Sequence, residues 1–448
     1  MTIFFNQQDF NHLTALKSEK NQLMTATKSN YTQQITMIGI LFFVFGLVTW
    51  LNGILIPFLK LSCQLTDQQA FYVATAFFAA YFFLALPSSE ILKQFGTKQG
   101  MSIGLVVMAI GSLIFIPAAH FRSFPLFLTG LFGQGMGLAL LQTAANPYVS
   151  VIGPIESAAQ RISIMGICNK FAGILGNLVF GAILLKNADN IEAEIKATTD
   201  LVAKNQLLDH LASRIYLPYA GLALLLSLMA VWINRSSLPN ITEQVSSDTN
   251  ALSTDRTSLM QYPHVWLGAL AIFFYVGAEV MAGDLITVYG KNLGFTGAQS
   301  KYFTSFGLIG LLLGYVASIF LIPRFIKQET YLLISTVLGM ILTIGSYMTT
   351  GETTITCLAA LGFANAVMWP AIFPLGINGL GKLTDRGSAL LIMGIVGGAL
   401  IPPFYGWLYE KSILGFDFRS AFLVIMLICY TYILWFALAG HRVGKQNN

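Results

Sequence analysis

Of the 448 residues, 55% are hydrophobic and only 10% are charged, with 41 glycines and 34 phenylalanines. A soluble domain normally carries about 25% charged residues, so this chain cannot clothe a water-facing surface and reads as an integral membrane protein. The formal net charge of +5 comes from Lys and Arg scattered through loops rather than set in a stripe, which argues against a nucleic-acid partner.

Residues 1–34 are polar and predict a flexible cytoplasmic tail; the apolar stretch that follows is too long for a cleavable signal. Twelve apolar runs of spanning length follow. The first six lie at about 35–59, 70–94, 101–119, 125–150, 161–185 and 215–234. The second six lie at about 263–290, 299–322, 330–350, 353–378, 387–409 and 418–441. In lipid, backbone groups must be satisfied within the segment, and no ten-residue alternation of a barrel is visible, so each run predicts a helix.

The expected domains are therefore an N-terminal bundle over 35–234, a polar cytoplasmic linker over 235–262, a C-terminal bundle over 263–441 and a short tail over 442–448. Six helices, a linker and six more is the layout of parallel repeats. Pro147 and Pro370, each in the fourth run of its half, fit a duplication. Short loops holding Lys93 and Lys98, Arg324 and Lys327, and Lys382 and Arg386 share one side, which the positive-inside rule places in the cytoplasm together with both termini. The loop from Lys186 to Arg214 predicts a short surface helix on the other side.

Charges deep in a spanning helix are costly and mark function. Run five holds Lys170, and run seven holds Glu279 and Asp284. Lys170 reads as a structural ion pair, a substrate contact, or a partner for either acid. Glu279 lies between Gly277 and Gly283, which allow close approach, and Asp284 is about 140° further round the helix, so the two acids do not share a face. Glu90, near a helix end, reads as a loop anchor, and Arg161 stands at a helix entrance.

Asn52, Gln142, Asn146, Asn169, Asn177 and Asn365 lie in otherwise apolar runs. Amides donate and accept, as sugar hydroxyls require, and Trp50, Tyr81, Tyr275 and Trp369 offer apolar faces for a pyranose ring. For a single amide, helix–helix bonding is the competing reading. The four cysteines are far apart with no metal spacing and read as free thiols. Gly133-Gln-Gly135-Met-Gly137 lacks the Lys-Ser/Thr of a phosphate loop and reads as a tight-packing stretch; no ATP-binding motif occurs and nothing supports an enzyme.

Several segments carry a resemblance. These are Leu51 to Pro57, Gln142-Thr-Ala-Ala-Asn-Pro-Tyr148 with Gly153-Pro154, and Tyr275-Val-Gly-Ala-Glu279. Met368-Trp-Pro-Ala-Ile-Phe-Pro-Leu375 and Gly387 to Met393 with Gly397-Gly398 complete the set. In order along the chain, they resemble the fucose–proton symporter and glucose/galactose transporter family of the major facilitator superfamily. The resemblance implies a twelve-helix, two-bundle major facilitator fold that imports a hexose or related sugar (glucose, galactose, fucose or an amino sugar) by alternating access. It also implies departures. The family's first-run Asp, a proposed proton carrier, is Gly53 here, and the Glu of the fucose branch is Gln142. The run-five Phe-Asn-Ser is Cys168-Asn169-Lys170, and Asp284 is unusual.

The expected substrate site is Asn52, Gln142, Asn146, Asn169, Asn365 and Trp369, with Lys170, Glu279 and Asp284 as a charge or coupling network. Asp284 is preferred over Glu279 as the partner of Lys170, because two compensating departures are easier to explain than two independent ones. Glu279 is then the coupling group for H+ or Na+, with no other cofactor or metal. A monomer in the cell's inner membrane is expected. A carrier of another polar or anionic solute, a multidrug exporter and a sugar sensor are the competing readings.

Overall fold

The computed structural model describes residues 7–65, 67–236, 238, 258–283, 286–295, 303–412 and 415–444. Side chains are described from residue 31 onward, except at 52, 53, 67, 68, 70, 71, 74, 177, 188, 189, 287, 288 and 291. The first half contains α1 (Gln7–Ser62), α2 (Asp67–Phe95), α3 (Thr97–His120), α4 (Phe124–Val151), α5 (Ala158–Leu184), α6 (Ala188–Ala197), α7 (Leu201–Ser213) and α8 (Tyr216–Arg235). The second contains α9 (Pro263–Gly283), α10 (Ile286–Asn292), α11 (Phe303–Leu321), α12 (Gln328–Met348), α13 (Gly351–Asn365), α14 (Met368–Ile377), α15 (Thr384–Met393), α16 (Gly397–Glu410) and α17 (Phe418–Leu438).

Twelve stretches among the described residues are long and apolar enough to cross a membrane, and they fall on the twelve predicted runs. Three details differ from expectation. First, α1 begins at Gln7, inside the segment expected to be a flexible tail. Residues 7–30 contain no Gly or Pro, so nothing stops the helix from propagating back out of the apolar run. Second, the tenth crossing is split into α13 and α14 at Ala366–Val367, and the eleventh into α15 and α16 by a 3₁₀ turn at Gly394–Val396. Third, the loop after α5 holds two helices, α6 and α7, rather than one. Most of the expected linker, 239–257, lies outside the described residues.

The pattern of helix neighbours repeats. In the first half the closest pairs are α1 with α5, α2 with α4, α3 with α4 and α3 with α8. Six crossings later the pairs are α9 with α16, α11 with α13, α12 with α13 and α12 with α17. Two parallel repeats predict this correspondence. Glycine permits the tightest approaches in each half, because lipid supplies no hydrophobic drive and close van der Waals packing must replace it. A Cβ at Gly46 of α1 would fall on the Asn169 carbonyl of α5, and one at Gly397 of α16 on the Phe273 carbonyl of α9. The Gly133 to Gly137 stretch does pack tightly: a Cβ at Gly104 of α3 would lie 2.8 Å from the Gly137 carbonyl.

Several buried polar groups are satisfied locally. Ser112, Thr143 and Ser163 each donate to the carbonyl four residues back. Arg161 is buried and has all its donors engaged. Nε donates to Val149 O at 2.8 Å, Nη2 to Ser150 O at 2.7 Å and Gly153 O at 3.2 Å, and Nη1 to Pro154 O at 3.0 Å and Ser157 Oγ at 2.6 Å. It thus occupies the carbonyl-rich end of α4, where a cation is favoured. Outside the crossings, Asp417 caps α17; hydrogen bonds from Ser420 hold its carboxyl below the ordinary value.

The halves meet at one end. Arg386, at the start of α15, binds Glu90 of α2 at 2.6 Å. Ser388 Oγ donates to the Thr143 carbonyl at 3.2 Å, Gln160 Nε2 to the Ile319 carbonyl at 2.6 Å, and Ser318 Oγ to Ser163 Oγ at 2.7 Å. Glu90, expected to anchor a loop, instead latches the two halves together, because the end of α2 lies beside the start of α15.

Two outcomes follow from this packing. Gly46→Val should separate α1 from α5, since overpacking costs about 1–3 kcal/mol and here the obstacle is backbone; thermal unfolding and size-exclusion profiles should deteriorate. Gly221→Val, with open space around it, should leave both unchanged. In a background freed of native cysteines, maleimide labelling of Ser388→Cys should speed up several-fold when Glu90→Lys is added. The exchange Glu90→Arg with Arg386→Glu should slow it again.

Candidate binding cavity between the halves

Above the closed end the halves part around a cavity of about 590 Å³. Its lining comes from both halves, through α1, α2, α4 and α5 on one side and α9, α11, α13 and α14 on the other. It reaches Ile56 late in α1, Gly283 at the end of α9 and Thr304 at the start of α11. These residues mark the end of the molecule opposite Glu90 and Arg386. The cavity is therefore deep, closed below and directed to one side only.

Seven expected site residues line it together: Gln142, Asn146, Asn169, Lys170, Glu279, Asn365 and Trp369. So do Trp50, Tyr81 and Tyr275. The side chain of Asn52 and all of Asp284 lie outside the described residues, as does the side chain of Asn177.

Lys170 and Glu279 are the only charged side chains on the described lining. Lys170 Nζ donates to Glu279 Oε1 at 3.1 Å, with the two side chains 8% and 19% exposed. The pair joins α5 of the first half to α9 of the second. Of the two acids weighed from sequence, Glu279 reaches the ammonium across the cavity floor, and Asp284, the one preferred there, lies outside the described residues. Lys170 Nζ also stands 4.2 Å from the centre of the Trp50 ring, where the ring's negative face attracts it. The Trp50 indole Nε1 in turn donates to Asn169 Oδ1 at 3.2 Å. The glycine contact of Gly46 with the Asn169 backbone brings α1 close enough for this, so sequence, packing and charge placement form one chain of causes.

The amides are oriented. Gln142 Nε2 donates to Tyr81 Oη at 3.2 Å, Asn146 Nδ2 to the Gln142 carbonyl at 3.0 Å, and Tyr430 Oη to Asn365 Oδ1 at 2.8 Å. Yet Asn146 Oδ1, Asn365 Nδ2 and Thr49 Oγ1 are buried without a partner among the described residues. Buried polar atoms are normally paired; three orphans on one cavity, both donor and acceptor, are what a hydroxyl-rich ligand satisfies. Aromatic faces flank them: Trp369 stacks on Phe373 at 5.7 Å and lies 6.4 Å from Tyr275. Thr49, Phe78 and Tyr315 also line the cavity and were not singled out from sequence. Thr49 is one residue from Trp50, but a hydroxyl in an apolar run normally bonds its own helix and so draws no notice.

A two-repeat bundle with a mid-membrane cavity open to one side defines a solute carrier. The major facilitator superfamily model matches residues 38–394. The glucose/galactose transporter of Brucella abortus is 35% identical over 426 residues, covering 93% of this chain and 96% of that one. The L-fucose–proton symporter of Escherichia coli is 28% identical over 390 residues, 86% of this chain and 88% of that one. The crystal structure of the transporter FucP in the outward conformation superposes with a TM-score of 0.78 at 27% identity, covering 93% of this chain and all of that one. The chain belongs to the major facilitator superfamily, in the family of glucose/galactose and fucose transporters.

Breaking a buried ion pair by removing one partner costs about 3–5 kcal/mol. Glu279 is partly open to the cavity, so Lys170→Met is expected to destabilise toward the lower end of that range. Lys170→Met with Glu279→Gln should recover most of the loss, as read by thermal unfolding in detergent. Equal destabilisation in the single and double variants would deny the pair any energetic role.

Proposed function

We propose that the protein is a secondary active transporter that imports a hexose or related sugar by alternating access, driven by H+ or Na+. The carrying observation is the cavity itself: amides and orphaned hydrogen-bonding atoms beside tryptophan and tyrosine faces, between two halves that close at one end. Gln142, Asn146, Asn169 and Asn365 serve as hydrogen-bonding groups for sugar hydroxyls, and Trp369 as a face for the ring. Because Lys170 is already neutralised by Glu279, the cavity has no net charge among its described residues, which favours a neutral sugar over an anionic solute. The similarity to a glucose/galactose transporter over nearly the whole chain supports the same reading.

The closed end carries Lys93 and Arg386 in terminal helix turns and Arg324 and Lys382 between helices, so the positive-inside rule makes it cytoplasmic. The cavity then faces outward, and both termini lie inside. A monomer in the inner membrane, surrounded by lipid, fits the outward-facing apolar side chains of its helices. Glu279 is the group on which a coupling cation acts, since neither Gly53 nor Gln142 can carry a proton.

The test is uptake of labelled D-glucose, D-galactose and L-fucose into proteoliposomes, with pH and Na+ gradients imposed separately. One gradient should drive accumulation of at least one sugar; no uptake of any of the three would remove the sugar reading. Losing a hydrogen-bond partner costs about 1–3 kcal/mol, so Gln142→Ala should weaken sugar binding roughly 5- to 100-fold. Glu279→Gln should keep sugar exchange and lose gradient-driven accumulation.

A further inference from the structure

Among the described residues, three groups that titrate or carry charge face Glu279: Lys170 from α5, Tyr275 one turn back on α9, and Tyr315 from α11. Of these, only Lys170 is a cation. It is held from two sides, by the carboxylate at 3.1 Å and by the Trp50 ring at 4.2 Å. An ammonium has three donors, and the single bond to Glu279 leaves donors that can turn to other oxygens. The neighbouring Asn169 amide is fixed by Trp50, so it does not follow the lysine when the lysine moves.

A second cation cannot share the Glu279 carboxylate at little cost. It would stand within a few ångström of the ammonium in a poorly polarisable site, where like charges repel far more than in water. Proton or Na+ binding at Glu279 and the Lys170 contact therefore exclude each other. From this geometry we infer that Lys170 is a tethered counter-ion that occupies the cation site of Glu279 in the sugar-free protein. A coupling cation reaches Glu279 only after bound sugar has drawn Lys170 away. This rests on the sugar and cation reading above and adds the order of events to it. Sugar enters first, its hydroxyl oxygens accept from the ammonium, and Lys170 turns from the carboxylate without losing a proton. The exposed carboxylate then takes H+ or Na+ from the solution filling the cavity. Sugar and cation affinities become linked, each raising the other by the same factor.

The experiment is thermal unfolding of the purified full-length protein, with Na+ varied at constant ionic strength and, separately, with pH varied, using Glu279→Gln as the reference for titrations elsewhere. Sugar-free wild type should match Glu279→Gln in its response to both cations. Sugar-free Lys170→Met should gain a stabilisation by Na+ or by protons that is absent from Lys170→Met with Glu279→Gln. Lys170→Arg should behave as wild type. With D-glucose or D-galactose present, the wild type should acquire the cation response, and the effective cation should tighten sugar binding about tenfold; in Lys170→Met that dependence should fall below about twofold.

The inference is overturned if sugar-free wild type responds to the cation as strongly as Lys170→Met does, or if Lys170→Met responds no more than Glu279→Gln. Should Lys170→Met fail to fold in every buffer, wild-type curves with and without sugar decide the matter: a cation response that sugar does not change overturns the inference. The sugar-free comparison needs no substrate, so its failure is distinct from failure of the sugar reading, which shows as wild type binding none of the hexoses.

Discussion

A charge placed inside a bilayer must find a counter-charge, and here the two members of the pair sit on different halves of the molecule. Lys170 rides on α5 and Glu279 on α9, so the cost of burying either charge alone is set against the separation of the halves. The neighbouring features serve that contact. Gly46 lets α1 approach α5, Trp50 then covers the ammonium, and Asn169 is held beside it. In the other half Gly397 lets α16 approach α9, which steadies the helix that carries the carboxylate. A polar floor for the cavity results, with its charges cancelled and its amides aimed.

The chemistry of the closed end is of another kind. It includes a hydroxyl and an amide bond to carbonyls, a bond between two hydroxyls and one ion pair exposed to water. Each is worth little alone, and water can replace each when the halves part. A seal that must open in every cycle is better made of several weak bonds than of one deep apolar interface. The floor and the seal thus divide the work: the first is costly to disrupt unless something takes the place of a partner, and the second gives way readily.

Much of this was legible in the sequence, because lipid imposes a simple rule on length and polarity. The twelve crossings, and the choice of Gln142, Asn146, Asn169, Asn365, Lys170 and Glu279, which share one cavity, follow from length and from residues that violate the apolar pattern. The helix breaks at Ala366–Val367 and Gly394–Val396 were not legible, since these residues are as apolar as their surroundings and leave hydropathy undisturbed. The Glu90–Arg386 contact spans 296 positions, and nothing in either local sequence announces the other. The partner of Lys170 could not be fixed either. Choosing between two acids five residues apart depends on helix rotation and depth, which only packing decides. Tyr315 and Thr49 escaped notice because one aromatic or hydroxyl group in a membrane helix is unremarkable until its neighbours are known.

Arg161 has a consequence for how displacement is transmitted. Its guanidinium ties the last turn of α4, the connection at residues 153–157 and the first turns of α5 into a single corner. Such a corner has no slack: it acts as a welded elbow rather than a hinge. Gln142 and Asn146 stand on one arm of that elbow, Asn169 and Lys170 on the other. When the seal around Ser163 and Thr143 loosens, both arms must swing together, and the two sets of polar groups travel as one rigid jaw that keeps its internal spacing while its distance to Glu279, Asn365 and Trp369 changes.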